Sequence, residues 1–248
     1  MAKVSPVFSG IKVDEGIETA ATRKGVALKT ALLLMIAIAS AIIGPLFLAK
    51  LDGNMPLIVV VVALIAALIC SFVGQLVPQA AMVASLIYSV CEGLVLGLIS
   101  YVIEAYFEYS GIVLTAILVT AAIFAVTLLL YSTGIVKVTR KFMFIAVTFF
   151  VTGFLLMFIY WIASIINPNN ILALTYGAYR GIMIAVSAFC LLYGCFMLTL
   201  NFSYIDQMVA NGFDKKYEWC GALGLMVCIV YIYLEVLRLL IIIMGKRD

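Results

Sequence analysis

The chain has 248 residues, of which 67% are hydrophobic and 11% are charged, with a formal net charge of +3. An average soluble domain is about 25% charged, so this composition cannot cover a folded surface with side chains suited to water. The sequence therefore predicts an integral membrane protein. Its apolar residues form long blocks without strict alternation, which favours an all-α helical bundle over a membrane β-barrel.

The residue types restrict the ligands. Because the net charge is small and no basic run carries interleaved aromatic residues, nucleic acid is not expected as a partner. Histidine is absent, so the usual soft-metal ligand and near-neutral proton carrier are missing. An ion site would have to use oxygen ligands, which suit calcium, protons or alkali ions. Six cysteines lie in apolar blocks without a CxxC spacing and are interpreted as small buried residues: Cys70, Cys91, Cys190, Cys195, Cys220 and Cys228.

The first 25 residues are polar and of mixed charge, and they predict a short solvated tail. The next block, Val26–Leu48, contains a run similar to a signal peptide, LLLMIAIASA. However, the polar segment before it is long and apolar sequence resumes after Ser40, which favours a spanning helix. We expect a cytoplasmic tail over residues 1–25 and a single membrane domain over residues 26–248.

Spanning helices are predicted wherever about 20 apolar residues occur in succession. Seven stretches meet this criterion: Val26–Leu48, Met55–Val77, Ala80–Ile103, Ile112–Tyr131, Phe142–Ile166, Arg180–Leu200 and Cys220–Met244. The connections are short and are marked by Gly and Pro punctuation. The break at Leu76–Pro78 is compatible with a tight hairpin or with one broken element.

Positive charges predict the orientation, since cytoplasmic loops carry the excess of Lys and Arg. A cytoplasmic N-terminus would place nine of these residues inside: Lys3, Lys12, Arg23, Lys24, Lys137, Arg140, Lys141, Lys215 and Lys216. Lys246 and Arg247 argue the other way and leave the side of the C-terminus open. The cluster Lys215–Trp219 is interpreted as an interfacial anchor.

Glu92 is a carboxylate in the middle of a predicted span. A charge at this depth costs at least a few kcal/mol unless it is paired, protonated or hydrated. Glu92 precedes Gly93 and Gly97, a small-xxx-small spacing that lets another helix approach closely. It either hydrogen-bonds a neighbouring helix at this contact or relays an ion or proton.

Glu235 is the second such carboxylate, and Arg238 shares its helix face three residues later. The two either form a self-neutralising pair or provide a switchable carboxylate. We favour the switch, because buried ion pairs rarely add stability and the protonation state of a buried acid responds to small rearrangements. Glu92 and Glu235 are also the candidate ligands for a metal ion of unknown identity.

Enzyme signatures are missing. The sequence has no HExxH, GxSxG or P-loop. An intramembrane aspartyl protease would need two aspartates at membrane depth, whereas all four lie at or beyond predicted helix ends: Asp14, Asp52, Asp206 and Asp248. We expect neither catalysis nor a tightly bound cofactor.

The sequence resembles the bacterial branch of the Bax inhibitor/YccA-type family, the transmembrane Bax inhibitor motif proteins. Four stretches carry the resemblance, the last being the most specific: Gly25–Leu34, Tyr88–Glu104, Gly111–Arg140 and Lys215–Leu240. The resemblance implies seven helices, with two three-helix layers around a central seventh helix. It also implies a pH-sensitive calcium leak across the bacterial inner membrane.

The resemblance also implies an acidic pair that acts as a pH-sensing latch between the sixth and seventh helices. The seventh-helix member falls on Glu235. The sixth-helix member falls on Asn201, in NFSYI where the family has Asp-x-x-x-Ile, and asparagine cannot ionise. Asp206 is the nearest acid, about 140° further around a helix. An Asn201–Glu235 hydrogen bond, with Glu92 or Arg238 as the other partner, would be the replacement.

Two functions follow as hypotheses. The preferred one is a calcium-permeable leak channel or exchanger, with protons and calcium as partners. The alternative is an interaction protein that modulates a membrane-bound AAA protease, which would require the polar tail rather than the intramembrane carboxylates. A solute transporter would be supported by paired Gly/Pro interruptions in its two halves, and the sequence does not show them.

Overall fold

The computed structural model describes residues 20–49, 55–106, 111–135 and 180–244, with a few residues between 138 and 155. These residues form six long helices: α1 (Arg23–Leu48), α2 (Met55–Leu76), α3 (Ala81–Tyr106), α4 (Ile112–Ser132), α5 (Arg180–Ala210) and α6 (Tyr217–Met244). Each is long and apolar enough to cross a membrane. All six expose large apolar side chains, as helices in contact with lipid do. The predicted all-α membrane class is confirmed.

The predicted spans agree closely with the described helices. Their bounds differ by no more than three residues except at the end of α5. That helix continues to Ala210 instead of ending at Leu200, because the polar residues after Leu200 remain helical and bond to neighbouring helices. The predicted span Phe142–Ile166 lies largely outside the described residues, so the count of seven and the two-layer arrangement stay predictions.

Helix α6 is central to the described part of the chain. It contacts each of the five other helices, and 14 of its 28 residues are buried. By contrast, α2 buries three of its 22 residues. The helix that carries Glu235 is therefore the one whose surroundings are most completely protein.

Helices α1 and α3 approach each other at the two glycines predicted to allow a close contact. A Cβ at Gly93 would lie 2.8 Å from the Ala37 Cα and would collide with the Ala37 carbonyl oxygen. A Cβ at Gly97 would lie 2.6 Å from the Ala41 Cα and would collide with the Ala41 carbonyl oxygen. The small-xxx-small prediction is confirmed, with α1 as the partner helix.

The break between α2 and α3 is a tight hairpin. The Val77 amide still donates to the Val73 carbonyl at 2.8 Å, and the Ala80 amide donates to the Val77 carbonyl at 3.0 Å. A single turn therefore separates Leu76 from Ala81, and the two helices pack against each other. This resolves the alternative that the sequence left open.

One end of the bundle, here called the N-terminal end, is where α1 and α6 begin and α5 ends. An isolated antiparallel bridge pairs Ala20 with Asp214 there. The Ala21 amide donates to the Phe213 carbonyl at 2.7 Å. The chain is thus attached to the α5–α6 connection before α1 starts.

Candidate functional site

Glu235 has an unused acceptor inside the bundle. Its Oε1 lies 3.9 Å from the Arg238 Nη1, with side-chain exposures of 14% for the glutamate and 46% for the arginine. That separation is too long for a hydrogen bond. Its Oε2 is buried and has no hydrogen-bond partner among the described residues. A buried acceptor without a hydrogen bond lowers the stability of the folded protein by about 1–3 kcal/mol. Binding of a proton or a cation would remove this penalty.

Among the described residues, the neighbours of Glu235 include residues of α5. Tyr231, one turn earlier, donates its hydroxyl to the Cys190 carbonyl at 3.2 Å. The Tyr231 ring also meets the Tyr193 ring edge-on, with centroids 5.9 Å apart. Glu235 interacts electrostatically with Tyr231 and Cys190. The carboxylate therefore lies on the face of α6 that packs against the first half of α5.

Asn201 lies elsewhere along the same pair of helices. Its Nδ2 donates to the Met197 carbonyl at 3.0 Å and to the Cys228 Sγ at 3.2 Å, and its Oδ1 abuts Gly224. Asn201 contacts α6 at Cys228, seven residues before Glu235. Because α5 and α6 are antiparallel, this contact lies about 10 Å from Glu235 toward the N-terminal end of the bundle. The expected Asn201–Glu235 hydrogen bond is therefore replaced by a contact between Asn201 and Cys228.

A cavity of about 290 Å³ lies beside Asn201, between α2, α5 and α6. The described residues that line it are Gln75, Met197, Leu200, Asn201, Tyr204, Cys220 and Gly224. None of these carries a carboxylate or an ammonium group. The cavity therefore offers neutral oxygen atoms in the half of the bundle nearer the N-terminal end.

Glu92 and Glu235 lie in different halves of the bundle. The hydroxyls of Ser100 and Tyr233 are 2.8 Å apart, which aligns α3 with α6. At 1.5 Å per residue, Glu92 lies about 12 Å from Ser100 toward the N-terminal end of the bundle, and Glu235 lies about 3 Å from Tyr233 in the opposite direction. The two carboxylates are thus about 15 Å apart along the axis. They do not form a shared calcium site.

Glu92 instead lies at about the same height along the bundle axis as Asn201. It interacts electrostatically with Tyr88, which is buried and interacts in turn with Cys228. Cys228 accepts the hydrogen bond from Asn201. Within the described ranges, no group of three or more His, Cys, Asp or Glu side chains could hold a metal ion. The described polar groups at this level therefore do not converge on one metal site.

Asp206 is placed at the N-terminal end of the bundle. Its Oδ1 pairs with the Arg23 Nε at 2.7 Å, and its Oδ2 accepts a hydrogen bond from the Tyr131 hydroxyl at 2.7 Å. Both oxygens are therefore engaged with α1 and α4. Although Asp206 is the acid nearest to Asn201 in sequence, it is directed away from Glu235 and cannot replace the missing latch residue.

Comparison with known proteins identifies the family of this chain. A family model described as Bax inhibitor 1 like matches residues 5–245. The chain belongs to the Bax inhibitor 1 like family. No curated protein and no solved structure matches it. With six apolar helices among its described residues, this Bax inhibitor 1 like protein is a multi-pass membrane protein.

One buried ion pair of this family member was not predicted from the sequence. Glu218, interpreted within an interfacial anchor, is 1% exposed and pairs with the Lys29 Nζ at 2.8 Å. Its other oxygen accepts hydrogen bonds from the Thr22 amide at 2.8 Å and the Thr22 hydroxyl at 3.1 Å. Gly25 leaves room for the Glu218 carboxylate, since a Cβ there would collide with it, but the sequence alone does not indicate this contact.

Proposed function

We propose that this protein is a calcium-permeable leak channel or exchanger of the bacterial inner membrane, controlled by protonation of Glu235. The observation that carries the proposal is the buried Oε2 of Glu235, which has no hydrogen-bond partner among the described residues. Residues inside a membrane that could be apolar at lower cost are kept for ions, protons or partner helices. Glu235 packs against α5 without a hydrogen bond to it, which favours an ion or a proton.

The spacing of the polar groups suits transit better than retention. Calcium takes 6–8 oxygen ligands in tight sites, whereas Glu92 and Glu235 are about 15 Å apart along the axis. The neutral amide of Asn201 and the cavity beside it lie near the level of Glu92, on the side of Glu235 toward the N-terminal end. Conduction requires several weak sites in succession, and this arrangement would provide them.

The departure at Asn201 alters the expected pH control. Its amide cannot ionise and is engaged by Met197 and Cys228, so it cannot share a proton with Glu235. Control by pH would then depend on one carboxylate. We expect a single-proton dependence of flux on pH, without the steeper transition of a coupled acidic pair.

The charge distribution supports a cytoplasmic N-terminus. Five basic residues of the described chain lie at the N-terminal end of the bundle: Arg23, Lys24, Lys29, Lys215 and Lys216. Two lie in the opposite half: Arg238, six residues before the end of α6, and Arg180, the first residue of α5. This asymmetry is the one expected when that end of the bundle faces the cytoplasm.

Calcium flux into proteoliposomes containing an entrapped indicator tests the proposal. We expect Glu235→Gln, which removes the ionisable group and keeps the shape, to flatten the dependence of flux on pH. Glu104→Gln is the matched control, because it makes the same change at an exposed carboxylate of α3. An unchanged pH profile in Glu235→Gln would reject the role of Glu235. An absence of calcium flux through the unaltered protein would reject the function itself.

A further inference from the structure

Two buried side-chain oxygens lack a hydrogen-bond partner among the described residues, and both belong to the α5–α6 pair. One is the Glu235 Oε2, and the other is the Ser187 Oγ. Ser187 is fully buried. A serine inside a helix can donate its hydroxyl to the carbonyl one turn earlier, as Ser89 does to Ser85 at 2.9 Å. Ser187 makes no such bond, so its hydroxyl is available to a ligand.

Ser187 lies on the face of α5 that packs against α6. Two residues further along α5 mark this face: a Cβ at Gly194 would lie 2.9 Å from the Ile232 side chain, and Asn201 donates to Cys228. Residues seven apart lie on nearly the same face of a helix, and Ser187, Gly194 and Asn201 follow this spacing. The residues on either side of Ser187 are exposed. The burial of Ser187 is therefore specific to the face toward α6.

Ser187 and Glu235 lie at similar heights along the bundle axis. Gly194 marks the level of Ile232 on α6. Because the helices are antiparallel, Ser187 lies about 10 Å from that level and Glu235 about 5 Å, both away from the N-terminal end. Their Cα atoms are thus about 5 Å apart along the axis. Cys190, one turn from Ser187, interacts electrostatically with Glu235, which supports this alignment independently.

A calcium ion suits two oxygen ligands at such a spacing. Calcium binds oxygen atoms at about 2.3–2.6 Å, so ligands on opposite sides of one ion are about 5 Å apart. Two oxygens at that separation are too far apart to hydrogen-bond each other, in agreement with their lack of partners. Since calcium takes 6–8 ligands, an ion held by two side chains keeps most of its water.

Arg238 is the nearby charge that opposes a cation. Its Nη1 lies 3.9 Å from the Oε1 of Glu235 and leaves Oε2 without a partner among the described residues. The arginine side chain is 46% exposed, so water partly screens its charge. The guanidinium therefore weakens the binding of a cation at Oε2 without occupying that oxygen. Weak binding suits a permeating ion, which must also leave its site.

We propose that the Ser187 Oγ and the Glu235 Oε2 bind a partly hydrated calcium ion between α5 and α6. The inference rests on the function proposed above and adds Ser187 as a further ligand of the permeating ion. Glu235 supplies the charge that attracts the ion, and Ser187 supplies a neutral oxygen that replaces one of its waters. The site lies in the half of the bundle away from the N-terminal end, beyond the contact of Asn201 with α6.

The rise in Tm caused by calcium tests this site without a flux measurement. Unfolding of the full chain is followed in detergent at about pH 8 with a thiol-reactive dye, since a ligand that binds the folded state raises Tm. We expect calcium to raise Tm in the unaltered protein and not in Glu235→Gln. Ser187→Ala should need about tenfold more calcium for the same rise, because the charged ion loses one ligand. Without calcium, Ser187→Ala should not lower Tm, because the hydroxyl it removes has no partner.

Ser89→Ala is the matched control, because it removes a fully buried hydroxyl that donates to a backbone carbonyl. Its response to calcium should equal that of the unaltered protein. The same calcium dependence in Ser187→Ala and Ser89→Ala would overturn the role of Ser187. A rise in Tm that persists in Glu235→Gln, or no rise in the unaltered protein, would overturn the site.

Calcium flux into proteoliposomes separates the site from the proposed function. The calcium concentration that gives half-maximal flux should increase about tenfold in Ser187→Ala, as the calcium dependence of Tm does. The same half-maximal concentration in Ser187→Ala and in the unaltered protein would overturn Ser187 as a ligand of the permeating ion. A protein whose Tm responds to calcium as expected but which conducts none would reject the proposed function and retain the site.

Discussion

The contact between α1 and α3 gives the most direct prediction of stability. At Gly97 a Cβ would lie 2.6 Å from the Ala41 Cα and 2.7 Å from the Ala41 carbonyl carbon. These obstacles are backbone atoms of the facing helix, which cannot move aside as a side chain end can. Gly97→Ala must therefore push the two helices apart along a contact more extensive than that of any other described helix pair.

The magnitude follows from the separation required. Ordinary contacts begin near 3.4 Å, and the Ala41 carbonyl oxygen is the nearest obstacle, so the helices must part by about 1 Å or slightly more. Overpacking of this kind costs about 1–3 kcal/mol, and the higher helix propensity of alanine returns up to about 1 kcal/mol. We expect a net loss of about 1–2 kcal/mol for Gly97→Ala. Gly93→Ala combined with it should lose less than twice that, because the first substitution already separates the helices.

Thermal unfolding in detergent, followed with a thiol-reactive dye, measures this effect through the six native cysteines. For a chain of this size, 1 kcal/mol corresponds to about 2–4 °C in Tm, so Gly97→Ala should lower Tm by about 2–8 °C. Gly181→Ala is the matched control, since a Cβ there meets nothing within 4 Å. Equal Tm values for the two variants would show that α1 and α3 do not approach as described.

Three further predictions concern the site. Gly224→Ala would drive a Cβ into the Asn201 Oδ1 and should lower Tm, measured with the same dye, by less than Gly97→Ala does, because the end of the Asn201 side chain can move aside. Asn201→Asp adds an ionisable group beside the cavity and should steepen the dependence of calcium flux on pH; an unchanged slope would separate Asn201 from the pathway. The hydrogen bond from Lys216 holds the pKa of Asp214 below its usual range, so Asp214 stays charged above about pH 4. The stability that charged Asp214 contributes through this contact is lost only as pH falls through that lowered pKa. Asp214→Asn should therefore leave the pH profile of flux between about pH 6 and 8 unaltered, and a shifted profile would contradict this.

The sequence was sufficient for the local features of the fold. Apolar run length placed the ends of five described helices within three residues, because lipid thickness sets the length of a span. The spacing of Gly93 and Gly97 predicted a close helix contact without indicating its partner. The end of α5 was placed too early, since Asn201 and Asp206 are polar and the sequence does not show that other helices satisfy them.

The site was predicted less completely because it depends on tertiary contacts. The burial of Glu218 depends on Thr22, Gly25 and Lys29 of a helix distant in sequence, and nothing local distinguishes it from an interfacial acid beside two lysines. The partner of Asn201 depends on how antiparallel α5 and α6 are aligned. Hydrophobic periodicity does not encode that alignment.

The close fit of the Glu218 carboxylate over Gly25 makes these two positions interdependent. Any side chain at position 25 would displace the carboxylate, leaving Lys29 buried without its counter-charge. A change at position 25 would thus be tolerated only together with a smaller residue at 218 and an uncharged residue at 29. We expect the three positions to vary together among homologous sequences, so that a comparison of sequences could recognise the Lys29–Glu218 ion pair in relatives before their structures are known.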